Sequence, residues 1–152
     1  MGSTAIFAFV SDGDKILLVK NKEKQTGLGF IKPSGWGLPG GRVEQGESET
    51  RAAFRELEEE AGLMARQVEI DFSQKELLYW EFKKDRSGTE EHLVVVVFAK
   101  LKVPANSFIP KSDNNTADVE KAQWFAIDNL PKDLYRSHRR RIEYFLKALG
   151  KI

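Results

Sequence analysis

Short runs of apolar and β-branched residues, separated by turn-forming residues, recur along most of the chain. They predict β-strands over residues 4–10, 15–20, 68–72, 76–82, 93–101 and 124–127. The turn at residues 11–14 predicts that the first two strands pair with each other. Residues 94–98 include no polar position, which is expected of a strand buried on both faces. The pattern therefore indicates a sheet at the centre of the fold.

Two other segments have helical patterns. Residues 48–61 contain no glycine or proline, Ser48 is a favoured N-cap residue, and Gly62 is favoured just after a helix ends. A second helix is predicted from about Ser137, and its apolar stripe consists of Ile142, Phe145, Leu146 and Leu149. Strands that flank one helix and precede another indicate the α/β class with α/β/α layers. A length of 152 residues fits one domain over 1–152.

Composition narrows the classes of function. The net charge is +1 with both signs mixed, which argues against a surface that binds duplex nucleic acid. The chain has no cysteine, so disulfides, thiolate nucleophiles and cysteine-bound zinc are excluded. It also has no run of 18 apolar residues and no basic, apolar leader at its N-terminus. We therefore expect a cytoplasmic protein without a membrane segment.

The first predicted helix carries an acidic cluster. Glu56, Glu59 and Glu60 share an arc of roughly 100° on one face, whereas Glu58 points away from it. Like charges at this spacing each destabilise a helix by about 0.2–0.5 kcal/mol, so helix stability alone does not account for them. Such a face is either solvated or binds a divalent cation, because Mg²⁺ prefers oxygen ligands.

The segment around this cluster, GRVEQGESETRAAFRELEEEAGL at residues 41–63, resembles the signature of the Nudix hydrolase family. The signature is G-x5-E-x7-R-E-U-x-E-E-x-G-U, where U is aliphatic. The chain matches every fixed position, namely Gly41, Glu47, Arg55, Glu56, Leu57, Glu59, Glu60, Gly62 and Leu63. Residue frequencies put a chance match on the order of one in ten million. Weaker similarity extends to GWGLPGG at residues 35–41 and QWFAIDNLP at residues 123–131.

The resemblance implies a fold, a reaction and a cofactor. Nudix proteins form an α/β/α sandwich with a central mixed sheet, and they attack a phosphorus atom of a diphosphate linkage with water. The expected cofactor is Mg²⁺, for which Mn²⁺ can substitute. By resemblance, the metal ligands are the carboxylates of Glu56, Glu59 and Glu60 and the carbonyl oxygen of Gly40.

Other charged residues have implied roles around the metal. Arg55 is expected to orient the glutamates of the signature by pairing with them. Glu47 either joins this network and the metal or favours the positive end of the helix dipole. The general base is either a glutamate of the signature or a loop acid before the last strand, where Asp118 lies with Glu120 close by. The implied catalytic residues are therefore Glu56, Glu59, Arg55 and Asp118.

Contacts to the rest of the substrate are harder to assign. Trp36, Arg42 and Tyr79 are the candidate substrate-binding residues. Phe30 and Trp80 are further aromatic residues that are suited to stacking on a base. Large aromatic residues in or beside strands are, however, more often part of a core, so no preference for a base follows.

The histidines and a basic run near the C-terminus have ordinary explanations. His92 and His138 lack metal-ligand spacing, and we assign them no role. Residues 138–141 contact phosphate or RNA, or they form the charged face of an amphipathic helix. The second interpretation is favoured.

Several substrates remain open. We expect a small nucleotide, either a nucleoside triphosphate or a nucleoside diphosphate derivative. A dinucleoside polyphosphate is an alternative, because relatives with that activity often have a tyrosine where this chain has Tyr79. An RNA 5′ end is another, guided by Lys22, Lys24 and Lys32 near the glycine-rich loop. A non-catalytic nucleotide-binding module is the remaining alternative, although such modules tend to lose acids that this chain has. Both a monomer and a homodimer fit.

Overall fold

The computed structural model of the protein describes residues 3–25, 31–70, 72, 77–84, 88, 90–111 and 118–152. Its strands are β1 (Thr4–Ser11), β2 (Lys15–Asn21), β3 (Lys24–Gln25), β4 (Ile31–Lys32), β5 (Gly35–Gly37), β6 (Gly40–Arg42), β7 (Val68–Ile70), β8 (Leu78–Lys84), β9 (Glu91–Leu101) and β10 (Val119–Ala126). Its helices are α1 (Glu49–Ala61) and α2 (Arg136–Ala148), and short 3-10 turns cover Ala65–Gln67 and Ala105–Ser107.

A mixed sheet forms the middle layer. In the described part of the chain its strands lie in the order β10-β2-β1-β9-β7, and β8 also pairs with β9. β1 and β9 are parallel from Thr4↔Leu93 to Ser11↔Lys100, whereas the neighbouring pairs are antiparallel. β1 pairs with β2 next to the turn that joins them, as predicted. Farther from that turn β5 pairs with β2 and β6 pairs with β1, so residues 35–42 lie against both strands.

The two helices cover opposite faces of the sheet. On one face, α1 contributes Leu57 to a buried cluster that includes Val95. On the other face, α2 contributes Phe145 to a cluster that includes Val96. Because successive residues of β9 are buried in different clusters, this strand is buried on both faces, as its sequence predicts. The three layers confirm the predicted α/β/α class.

The predicted ends of α1 are confirmed, and the start of β10 differs for a physical reason. The Ser48 side chain accepts a hydrogen bond from the N–H of Arg51, and Gly62 is left-handed with φ of 75°. β10 begins at Val119, whereas the apolar pattern predicts residue 124. This strand lies at an edge of the sheet, where exposed polar residues such as Glu120 break the apolar pattern.

Other predicted elements are present with shifted ends. β7 ends at Ile70 rather than at residue 72. β8 covers Leu78–Lys84, and residue 76, where the predicted strand begins, lies outside the described residues. Neither helix of the described chain is long and apolar enough to cross a bilayer.

Candidate active site

The glycine-rich segment, residues 35–41, holds β6 directly against α1. The backbone N–H of Gly40 donates a hydrogen bond to Oε1 of Glu60 at 2.8 Å. A Cβ on Gly41 would lie 2.6 Å from Oε1 of Glu56, so a side chain there would collide with this carboxylate. Two carboxylates that lie one turn apart on α1 are therefore packed against the backbone of β6.

Arg55 connects the acids of this region. Its Nε and Nη2 donate to the two carboxylate oxygens of Glu47 at 2.8 and 3.0 Å. Its Nη1 donates to Oε1 of Glu56 at 2.9 Å and reaches Oε2 of Glu59 at 3.4 Å. Nη2 also donates to the backbone carbonyl of Arg42 at 3.0 Å. One guanidinium thus positions three acids and the end of β6, which is the geometry that the orienting role requires.

Glu47 lies on the arginine side of this arrangement. The hydrogen bonds from Arg55, together with the Glu44 N–H that donates to Oε1 at 3.0 Å, lower the pKa of Glu47 to about 2. Both of its oxygens accept hydrogen bonds from Arg55, so Glu47 belongs to the hydrogen-bond network of this arginine. It braces the guanidinium that holds Glu56.

Glu60 is buried, Glu56 is half-buried, and the two acids influence each other. Burial and then the neighbouring charge of Glu56 raise the pKa of Glu60 to about 8, against the effect of the Gly40 hydrogen bond. Burial also raises the pKa of Glu56, and Arg55 opposes that rise. Two carboxylates that lie close together away from water repel each other, and a cation that binds both of them offsets this repulsion.

The donor chemistry of this pair fits a hard divalent cation. Mg²⁺ binds carboxylate oxygens together with water and substrate phosphates, and it offsets the repulsion between Glu56 and Glu60. Among the described residues, no three acidic or histidine side chains are already arranged around one point. Glu59 belongs to the same helix face, but its side chain is 51% exposed. Glu56 and Glu60 are therefore the centre of the candidate metal site.

A cavity of about 580 Å³ opens beside the two acids. Its acidic lining residues are Glu44, Glu56, Glu60 and Asp118. Its basic lining residues are Lys22, Lys24, Lys32, Arg42 and Arg55. The volume is within the range of small-molecule sites. Acids beside cations suit a metal bound to a polyanion, since the acids hold the metal and the cations contact phosphate.

The structure places the predicted charged residues differently with respect to this cavity. Gly40, Arg42 and Asp118 line it. The carboxylate of Asp118 is 59% exposed and lies 3.4 Å from Nζ of Lys24. Glu59 and Glu120 are both exposed and are absent from the described wall of the cavity.

The predicted aromatic contacts lie elsewhere. Trp36 is 6% exposed and packs edge-on against Phe125 in the cluster below α2. Tyr79 donates its hydroxyl hydrogen to Glu81 at 2.9 Å, and its ring packs against α2. Both rings therefore have structural contacts away from the cavity. Trp80 is 60% exposed, and Phe30 lies outside the described residues.

Sequence reasoning assigned no role to His138, yet this side chain supports the glycine-rich segment. It is 7% exposed, and its Nδ1 accepts a hydrogen bond from the N–H of Leu38 at 2.9 Å. A Cβ on Gly37 would lie 3.0 Å from the same nitrogen, so the backbone packs directly on the ring. Burial, and then the charge of Arg141, lower the pKa of His138 to about 3. A single buried histidine carries no spacing signal, so no sequence pattern predicts this contact.

Comparisons with known proteins agree with this geometry. A family model described as the NUDIX domain matches residues 1–145. The chain is 26% identical over 124 residues to an RNA pyrophosphohydrolase of Francisella tularensis subsp. mediasiatica (strain FSC147). The aligned region covers 76% of this chain and 79% of that protein. It is 32% identical over 108 residues, 68% of its length, to the m7GpppN-mRNA hydrolase dcap-2 of Caenorhabditis elegans. That match spans only 12% of the C. elegans protein.

The fold has solved counterparts. The crystal structure of a MutT NUDIX hydrolase from Burkholderia pseudomallei superposes on the chain with a TM-score of 0.68 at 27% identity. The superposition covers 95% of this chain and 98% of that one. The similarity therefore includes both helices and the sheet between them.

Proposed function

Because the chain belongs to the Nudix hydrolase family, we propose that it is a Mg²⁺-dependent pyrophosphohydrolase that cleaves a phosphoanhydride bond of a nucleoside diphosphate derivative. The observation that carries this proposal is the pair Glu56 and Glu60, held against Gly40 and Gly41 beside a cavity that basic residues also line. The pair supplies oxygen donors for a metal, and the basic lining residues supply contacts for phosphate.

Glu56 and Glu60 would hold the metal, with Glu59 and the carbonyl of Gly40 as further donors. Mg²⁺, or Mn²⁺ in its place, would neutralise the diphosphate and polarise the attacking water when bound. Arg55 keeps the carboxylate of Glu56 in place through the bond at 2.9 Å. In the reaction, a water oxygen forms a bond to phosphorus, and the anhydride P–O bond breaks with its electron pair on the leaving phosphate.

Asp118 accepts the proton that the attacking water loses. It lines the cavity, and it lies outside the network of hydrogen bonds that Arg55 makes. The pairing with Lys24 at 3.4 Å is exposed and readily rearranged. Glu59 is the alternative base. We favour Asp118 because Arg55 donates a hydrogen bond to Glu59 at 3.4 Å and so holds it in the arginine network.

A small nucleotide is the first candidate substrate. The cavity of about 580 Å³ accommodates a nucleotide, and Arg42, Lys22 and Lys24 in its wall are suited to the charge of a diphosphate. A nucleoside triphosphate or nucleoside diphosphate derivative meets this requirement without any further contact.

An RNA 5′ end is the second candidate, and one observation favours it. Lys22, Lys24 and Lys32, which the sequence suggests as guides for RNA, all line the same cavity as the acids. The Francisella relative is named as an RNA pyrophosphohydrolase and the C. elegans relative as an mRNA hydrolase. A triphosphorylated RNA end presents the same diphosphate linkage as a nucleoside triphosphate.

The test is the release of phosphate or pyrophosphate from a panel of substrates with Mg²⁺ and with chelator. The panel contains nucleoside triphosphates, sugar nucleotides, ADP-ribose, dinucleoside polyphosphates and triphosphorylated RNA. We expect cleavage of at least one class that stops in chelator. Nucleotide binding without cleavage of any class would favour a non-catalytic module and contradict the proposal.

A further inference from the structure

A second cavity adjoins the first and is unlike it in charge. It has a volume of about 390 Å³ and shares Ala5, Phe7 and Lys32 with the wall of the acid-lined cavity. The two spaces are therefore neighbours that share part of β1 in their walls. The second cavity extends from there towards β8 and the first turn of α2, where Lys83 and Arg136 line it.

Cations dominate the wall of this second cavity. They are Lys32, Lys83, Arg136 and Arg141, which come from β4, β8 and α2. Among the described residues that line it, none is acidic. The family signature contains none of these four cations, since it ends at residue 63 and begins at residue 41.

Three of the four cations form no ion pair with an acidic side chain in the described structure. Arg141, the fourth, is buried and pairs with Glu81 at 2.8 Å, and Arg140, which is not among the described lining residues, shares this carboxylate at 2.9 Å. One acid therefore offsets only part of the charge of the two arginines. Within the described ranges, Lys32, Lys83 and Arg136 form no ion pair. The cavity therefore has positive charge that an anion can balance.

The pKa values of Lys32 and His138 are both lowered, in part by the positive charges around this cavity. The pKa of Lys32 is lowered by burial and then by the charges of Lys24 and Lys83. The pKa of His138, which also lines the cavity, is lowered by burial and then by the charges of Arg141 and Lys32. An anion between these groups would relieve their mutual repulsion.

We propose that the second cavity binds a phosphate of the substrate that is separate from the scissile diphosphate. This inference rests on the proposed function, and it narrows the substrate class to compounds with an additional phosphate. That phosphate belongs either to a longer polyphosphate chain or to the 3′ position of the nucleoside, as in the first phosphodiester of RNA. Sugar nucleotides and ADP-ribose lack such a group and are disfavoured.

The test uses pairs of ligands that differ by one phosphate. ATP is compared with adenosine 5′-triphosphate 3′-phosphate, and diadenosine triphosphate is compared with diadenosine tetraphosphate. In Mg²⁺ we measure kcat/KM, and in chelator we measure Kd by calorimetry, where no turnover occurs. A preference in the first pair assigns the phosphate to an RNA-like 3′ position, and a preference in the second assigns it to a polyphosphate chain.

The matched variants are Lys83→Ala with Arg136→Ala, and Lys84→Ala as a control. Lys84 is an exposed lysine on the same strand that is absent from the described cavity wall. In the wild type we expect the additional phosphate to improve Kd by roughly tenfold in at least one pair, which is about 1.4 kcal/mol. The double variant should lose this preference, and the control should keep it.

Two outcomes separate this inference from the proposed function. Metal-dependent cleavage with equal kcat/KM and equal Kd within both pairs would overturn the second phosphate site and leave the hydrolase assignment intact. A preference in Kd that the double variant abolishes, without cleavage of any ligand, would support the phosphate site and overturn the hydrolase assignment.

Discussion

The backbone N–H of Gly40 donates a hydrogen bond of 2.8 Å to Oε1 of Glu60, which joins the glycine-rich segment to the acidic helix. This bond favours the charged form of Glu60, but burial and the charge of Glu56 outweigh it and raise the pKa to about 8. The site thus holds a carboxylate whose charge is costly until a cation is present.

Glu60→Gln is expected to stabilise the metal-free protein above pH 8. The pKa of Glu60 is about 8 in the folded protein and 4.5 as the unperturbed value, so between these pH values the unfolded chain releases a proton that the folded protein keeps. The free energy of unfolding therefore falls as pH rises through this window, and glutamine removes that fall.

Urea unfolding in chelator at several pH values from 4.5 to 8.5 measures this effect, with the range set by the pKa of Glu60. Glu58→Gln is the control, because Glu58 is exposed on the same helix. Parallel pH profiles for the wild type and Glu60→Gln would show that Glu60 ionises normally in the folded protein.

Arg55→Lys is expected to impair turnover without unfolding the protein. A lysine cannot make the paired contacts to Glu47 and the bond to Glu56 at the same time, so Glu56 loses its fixed position in the proposed metal site. We expect kcat to fall by roughly 100-fold, the scale that a small misplacement of reacting groups produces. Arg51→Lys, at an exposed position of α1, is the control, and equal rates for the two variants would argue against the orienting role.

His138→Ala is expected to destabilise the fold. It leaves the Leu38 N–H without its acceptor and opens a space beside Gly37, at a cost of roughly 2–4 kcal/mol in the free energy of unfolding. Urea unfolding near pH 7.5 measures it, and Arg139→Ala at the next position of α2 serves as the control. A difference below about 0.5 kcal/mol, the ordinary range for a surface substitution, would contradict the supporting role.

The acid stability of the protein should also depend on His138. Its pKa is lowered to about 3 in the folded protein from an ordinary value of 6.5, so on acidification the unfolded chain takes up a proton first. The contribution of His138 to the free energy of unfolding is therefore lost as pH falls from 6.5 towards 3. His138→Ala should show a shallower fall over this window than Arg139→Ala, and identical slopes would mean that the imidazole is not buried in its neutral form.

Helical spacing alone predicts that Glu56, Glu59 and Glu60 lie on one face of α1. Their different exposures are not predicted, since only the packing of β6 against α1 leaves Glu60 buried while Glu59 is largely exposed. The position of Glu47 likewise depends on a tertiary contact, the two hydrogen bonds from Arg55.

The parts that sequence patterns miss depend on which elements meet in space. Trp36 has a large aromatic ring that is suited to stacking on a base, but the pairing of β5 with β2 places this ring in the core. Lys83 and Arg136 are far apart in the chain and line one cavity only because β8, a strand of the sheet, contacts α2. Periodicity describes single elements and contains no information about which elements contact each other.

The rate of Mg²⁺-dependent hydrolysis by the wild type, Glu60→Gln and Glu58→Gln tests the central claim most directly. It is measured at one saturating Mg²⁺ concentration on the substrate that the panel identifies. If Glu56 and Glu60 hold the metal, Glu60→Gln should lose roughly 100-fold or more in kcat, about 2.7 kcal/mol of transition-state stabilisation. Glu58→Gln should stay close to the wild type. Equal rates for Glu60→Gln and the wild type would contradict a metal site built on Glu56 and Glu60.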